Sequence, residues 1–161
     1  MSYKIYKDNI LKIDKKTWDK TIDASGSITT WRQDIGTSYE DVKGSEVTHT
    51  PHELATKVVY EFQWAHDPRD DWSIYYMEMY ESTDGGSSWS AMGNNYRITY
   101  YENDDVELMQ HSKLRFVLPI YSGARSYKLM VRASSTSTDT WLHYQPSDAD
   151  YNPSALIFSV L

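Results

Sequence analysis

Ser82-Thr83-Asp84-Gly85-Gly86-Ser87-Ser88-Trp89 lies between two stretches that alternate like strand, and it reads as the corner of a β-hairpin. Asp84-Gly85 followed by a second glycine supplies the positive φ angles a short turn needs, and a short carboxylate can accept N–H bonds inside its own loop. Before the corner, Trp72 to Glu81 places Ile74, Tyr76, Glu78 and Tyr80 on one face against Tyr75, Met77 and Met79 on the other. A period of two is the signature of a half-buried strand. After it come strand-like runs at Trp89 to Met92 and Tyr96 to Tyr101.

Working outward, Lys57 to Trp64 alternates Val58, Tyr60, Phe62 and Trp64 on one side. Leu108 to Ile120 alternates Leu114, Phe116 and Leu118. Tyr127 to Ala133 sets Tyr127, Leu129, Val131 and Ala133 against Lys128, Met130 and Arg132, and Trp141 to Tyr144 is a further short strand. Ala155 to Leu161 is almost continuously apolar, which predicts a central strand covered on both faces. Ile28, Trp31 and Ile35 begin an irregular strand, and Glu46 to Pro51 reads as a polar connection. About eight short strands at roughly ten-residue spacing, with Gly, Asp-Gly and Ser/Thr turns and no sustained helical period, indicate an all-β antiparallel sandwich of jelly-roll type. Residues 26–161 form that body. Residues 1–25 form an extended N-terminal arm that orders on contact, its apolar anchors being Tyr3, Ile5, Tyr6, Ile10, Leu11 and Ile13.

Two resemblances follow from these residues. Ser82, Asp84, Gly86, Ser88 and Trp89 resemble the Asp-box hairpin of sialidase propellers, where the box is structural and lies away from the catalytic centre. A propeller needs several four-stranded blades and this chain has room for about two, so the corner implies no sialidase activity. The succession Lys57–Trp64, the Asp-Gly-Gly hairpin, Arg97–Tyr101, Phe116–Ile120, Tyr127–Ala133 and the closing apolar strand resembles the TNF/C1q-like jelly rolls of tailed-phage virion proteins, those of marine and cyanobacterial phages in particular. That resemblance covers about residues 30–161. It implies a homotrimer packed about a threefold axis and a virion location.

Composition narrows the function classes. The 161 residues contain no cysteine, which excludes disulfides, a cysteine nucleophile and thiolate zinc sites, and fits assembly in a reducing host cytoplasm. The five histidines, His49, His52, His66, His111 and His143, show no i, i+4 pair, and His49 and His52 flank Pro51 in what reads as loop, so a structural role outweighs a metal site. Net charge is −7, but residues 1 to 23 carry six lysines and four aspartates, leaving −9 on the remainder. A basic arm thus precedes an acidic body, and nucleic acid is not an expected partner. No apolar run reaches membrane-spanning length, and the start at Met1 lacks a secretory h-region, so a complete short product is expected that has no membrane partner and reaches its destination by assembly or cell lysis.

Fourteen tyrosines and six tryptophans against three phenylalanines favour rings with a polar end, which suit half-buried sheet faces and interfaces. Trp64, Trp72, Trp89 and Trp141 could instead form a platform for a host-surface glycan, although core or interface is the commoner fate of such rings. Asp67, Asp70-Asp71, Glu102 and Asp104-Asp105 are turn acids that could hold calcium, without the spacing of a defined loop. No phosphate loop, nucleophile elbow or Ser/His/Asp arrangement stands out. The expectation is therefore a non-enzymatic virion structural protein with no cofactor and no metal. It decorates or cements a capsid, docks on the major capsid protein or another virion protein through its arm, and has a tail-tip receptor- or carbohydrate-binding module as its alternative.

Overall fold

The computed structural model describes residues 10–17, 33–68, 72–101, 110–134, 140–143 and 153–161. Among the described residues eight principal strands carry the architecture. They are β1 (Ile10–Thr17), β4 (Val47–His49), β5 (Lys57–Pro68), β6 (Trp72–Ser82), β7 (Ser90–Tyr101), β8 (Gln110–Leu118), β9 (Arg125–Ala133) and β11 (Ser154–Val160), joined by three short pieces, β2 (Gln33–Asp34), β3 (Glu40–Asp41) and β10 (Thr140–Leu142). All pairings among the described residues are antiparallel.

The strands pair as nested brackets around the Asp84 corner. β6 pairs β7, β5 pairs β8, β4 pairs β9 and β1 pairs β11, and successive brackets alternate between two sheets. An antiparallel ribbon wound in this way is a jelly roll. One sheet runs β1-β11-β5 with β8 on the other side of β5, and β10 and β2 continue it beyond β11's reach. The other runs β7-β6-β9, with β3 and β4 pairing β9 at different heights. They are called here the β5 sheet and the β6 sheet.

The core lies where their inner faces meet. Val58, Tyr60, Phe62 and Trp64 of β5, with Ala155 and Ile157 of β11, pack against Tyr75, Met77 and Met79 of β6 and Tyr127, Leu129 and Val131 of β9, all at most 1% exposed. The alternations expected for β5, β6, β8 and β9 are present. Rings with polar ends are used inside: Trp64 Nε1 donates to Tyr75 Oη across the sandwich at 3.1 Å, and Tyr60 Oη donates to the Ser45 carbonyl at 2.6 Å. Each bond lets a large ring be buried without stranding its polar atom. Burial pushes the Tyr60 hydroxyl pKa far above its usual value.

Several expectations change. Residues 10–17, assigned to the arm, form an edge strand of the β5 sheet along β11, because Ile13 and Ile10 find Phe158 and Val160 as cross-strand partners. Tyr3, Ile5 and Tyr6 lie outside the described residues, as do residues 18–32. Glu46 to Pro51 is not all connection: Val47-Thr48-His49 is β4, three residues being too short to display a period. The runs on either side of Asn94 are one strand, β7, with an irregularity opposite Met79 where Gly93 takes φ +74°. An extra length of one strand accommodated by a left-handed glycine is a bulge. β11 is central in its sheet, but Leu156, Phe158 and Val160 on its outer face are only half-buried.

Candidate functional site

The Asp84 corner folds as a self-contained knot between β6 and β7. Gly85 and Gly86 take φ values of +73° and +91°, which side-chain-bearing residues avoid. The Asp84 carboxylate accepts Ser82 Oγ at 2.7 Å, Ser88 N at 2.9 Å and Ser88 Oγ at 2.5 Å. Ser82 Oγ in turn accepts Gly86 N at 2.9 Å, and Trp89 Nε1 donates to the Gly86 carbonyl at 3.0 Å. These bonds, led by the one from Ser88 Oγ, hold the Asp84 carboxyl well below the usual carboxylate range. Ser82, Asp84, Gly86, Ser88 and Trp89 are thus brought together, and every carboxylate contact is to its own loop.

A second constellation was not legible in the sequence. His49 of β4 is 1% exposed; its Nδ1 lies 2.7 Å from Asp14 Oδ2 of β1 and its Nε2 lies 2.7 Å from Ser159 Oγ of β11. A carboxylate only accepts, so the neutral ring donates from Nδ1 to Asp14 and accepts the Ser159 hydroxyl at Nε2. This is the order of groups in a hydrolytic Ser-His-Asp relay. Ser159 has no exposed surface, however, and its oxygen also accepts the His52 N–H at 3.1 Å. With the oxygen sealed between β11 and the β4–β5 loop, the group is a latch: it ties β1 and β11 of one sheet to β4 of the other. Burial lowers the His49 pKa more than Asp14 raises it.

His143 is the other buried imidazole, 1% exposed, edge-on to Phe62 at 6.2 Å, its backbone in the left-handed region at φ +62°. Burial is the main cause that brings its pKa down to about 3. His52 is half-buried, accepts Leu54 N at 3.2 Å, and His111 is exposed; the His66 side chain lies outside the described residues. Among the described residues no group of three or more His, Asp or Glu is placed to hold a metal. The side chain of Asp67 and residues 70, 71, 102, 104 and 105 lie outside them.

The two sheets differ most on their outer faces. On the β5 sheet, Ile13, Phe158, Val59 and Val117 are cross-strand neighbours and form an apolar band over four strands. Ile13 is 55% and Val117 66% exposed, Phe158 is half-buried, and Val59 between them is only 1% exposed. Ile10 and Val160 continue the band, and with Phe158 and Leu161 they line a pit of about 310 Å³. Its polar border is Glu61, which pairs Lys113 at 2.6 Å and Arg115 at 3.4 Å. Of the arm's expected anchors, Ile10 and Ile13 therefore lie in this band; Leu11 is on β1, its side chain outside the described residues.

On the β6 sheet the outer face is aromatic and cationic. Tyr76 has Arg97 of β7 opposite it on one side and Arg132 of β9 on the other. The Arg132 guanidinium lies 4.4 Å from the Tyr76 ring centre and 5.3 Å from that of Tyr39. Lys128 lies 4.4 Å over Trp89 and bonds Asp41 at 2.6 Å, tying the Asp84 corner to this face. Of the four tryptophans expected as a platform, Trp64 is core and Trp89 sits half-buried beneath Lys128. The side chains of Trp72 and Trp141 lie outside the described residues.

Topology and faces together define the class: an all-β, two-sheet antiparallel jelly roll whose described residues hold no accessible relay and whose outer faces carry the distinctive chemistry. No protein-family model matches the chain, and no curated protein matches it. Among solved structures it is similar to the Eiger TNF of S. frugiperda, at 10% identity and a TM-score of 0.39, over 80% of this chain and 93% of that one. It is also similar to a chain of infectious bursal disease virus, Gx strain, at 12% identity and a TM-score of 0.37, over 92% of this chain and 36% of that one. The jelly-roll assignment rests on the nested strand pairing.

Proposed function

We propose that this chain is a non-enzymatic structural protein of a tailed-phage virion, a homotrimeric jelly roll that decorates the capsid and docks on the major capsid protein or another virion protein. The observation that carries the assembly reading is the apolar band Ile13–Phe158–Val59–Val117 on the outer face of the β5 sheet, exposed at Ile13 and Val117 and in part at Phe158 over a buried Val59. Apolar side chains scattered singly on a surface need no explanation, whereas a contiguous band bordered by charge marks a contact surface. Covering the exposed halves of Ile13 and Val117 is worth about 1 kcal/mol each. Support for the phage setting and the virion location comes from the sequence resemblance alone.

Because β1 belongs to the sheet, the docking role falls to the residues that precede Ile10. Full-length protein at micromolar concentration should scatter light with three chain masses, and a monomer mass would remove the trimer. Protein lacking residues 1–9, with β1 intact, should keep that mass but fail to load onto particles stripped of the native protein; loading at full occupancy would remove the docking role.

A further inference from the structure

The outer face of the β6 sheet is not used by this assembly reading, and its composition is unlike the rest of the molecule. The chain carries 23 acidic and 16 basic residues, so most cations should find a carboxylate nearby. Lys113, Arg115, Arg125 and Lys128 each do. Arg97 and Arg132 pair no carboxylate among the described residues, although they flank one tyrosine on adjacent strands. Their backbones are two strand spacings apart, about 10 Å.

The row is also pre-ordered. Tyr39, just before β3, accepts Asn95 Nδ2 at its hydroxyl at 3.1 Å, and its ring, like that of Tyr76, lies within cation–π reach of the Arg132 guanidinium. Tyr80 follows on the same face of β6, half-buried, with Glu78 between it and Tyr76 in sequence and Lys128 opposite it. Besides Asp41, which is engaged by Lys128, this face carries Glu78, which pairs no cation among the described residues. Lys128 is held by Asp41 and Trp89, so the side chains left to meet a partner are Arg97, Arg132, Glu78 and the tyrosine rings.

We propose that this face binds a carboxylate-bearing saccharide, its uronate groups taken by Arg132 and Arg97 and a C–H face of its sugar ring laid on Tyr76 or Tyr80. Guanidinium forks match carboxylates bidentately, and an Arg whose guanidinium already lies against aromatic rings loses less freedom on binding. Tyrosine rings offer flat apolar area at low entropy cost, with a hydroxyl for the sugar's own hydroxyls. Glu78 accepts from sugar hydroxyls and repels a second carboxylate, which restricts the ligand to charges spaced along a chain. An acidic peptide has no ring face to stack and would be expected instead on the edge of β7 that no described strand pairs, by strand addition.

The test is calorimetric titration of full-length protein, at about 0.15 M salt where exposed charges beyond roughly 8 Å are screened, with a galacturonate hexamer, maltohexaose and hexaglutamate. The uronate hexamer is expected to bind and the other two to show no heat. Arg97→Gln changes an exposed side chain and should leave folding intact while weakening binding about tenfold, the worth of one charge-assisted bond. Adding Arg132→Gln should abolish it. The proposal is overturned by no heat with the uronate hexamer at millimolar concentration, by unchanged affinity in Arg97→Gln, or by equal binding of hexaglutamate or maltohexaose. Light scattering on the same samples reports the assembly reading separately, since neither arginine lies on the β5 sheet.

Discussion

The two sheets are alike inside and unlike outside. Their inner faces are both lined by aliphatic and aromatic side chains at almost zero exposure, and that shared core is what the sandwich requires. Outside, the β5 sheet shows isoleucine, phenylalanine and valine, whereas the β6 sheet shows tyrosine, arginine and lysine. Folding constrains one side of each strand, and the other side is free to carry what the protein does. Here the two free sides have diverged, one toward covering by another apolar surface and one toward polar, ring-lined recognition.

The largest effect should come from putting charge into the apolar band. Val117→Lys with Ile13→Lys should convert the trimer to monomer in light scattering, while changing unfolding free energy by no more than about 0.5 kcal/mol, as exposed positions do. A stable trimer in that variant would mean the band is not the contact. Next in size is the latch beneath β1. His49→Ala removes the acceptor of the buried Ser159 hydroxyl and the ring donor to Asp14, and should cost about 1–3 kcal/mol in denaturant unfolding, with faster amide exchange along β1 than along β9; equal exchange in the two strands would deny it a local role.

Acidification probes the same latch more gently. A histidine whose folded pKa is depressed takes its proton more readily in the unfolded chain, so its contribution is intact above about pH 6.5 and is lost as pH falls below that value. His49 and His143 act in the same direction, and His143 goes on doing so down to about pH 3. Denaturant midpoints should decline from pH 7.5 to pH 5, less steeply in His49→Gln; a flat profile would contradict the burial of both rings. The smallest change should follow Asp84→Ala. Losing the carboxylate's bonds to Ser82 and Ser88 should lower the thermal midpoint slightly and leave both trimer mass and saccharide affinity alone.

Much of the fold was legible because most of its strands are long enough to display a period. Met77 and Tyr76 announce opposite faces of β6 within a few residues, and the corner that closes β6 onto β7 announces itself through Asp84 and two glycines. β4 was not legible, since Val47-Thr48-His49 holds too few residues to alternate convincingly. The latch was hidden for a different reason: Asp14, His49 and Ser159 are far apart in the chain, and only the pairing of β1 with β11 brings them within bonding distance. One signal was available. Ser159 is the lone polar residue in the run from Ala155 to Leu161, and a hydroxyl buried in such a strand must have a partner somewhere. The outer faces were readable as alternations but not as surfaces, because strand order decides that Val117 meets Val59 and that Arg97 and Arg132 share Tyr76.

The latch also sets a clock. His49 and Ser159 are 110 residues apart, so at a synthesis rate of about 5–20 residues per second β4 is made some 5–20 s before the hydroxyl that satisfies its imidazole. During that interval β1 and β5 both lack the strand that lies between them, and the half-built sheet offers open edges to any neighbouring nascent chain. The outermost bracket of the jelly roll is thus the last to close in biosynthesis, and chains made side by side on one message are exposed to one another for as long as it stays open.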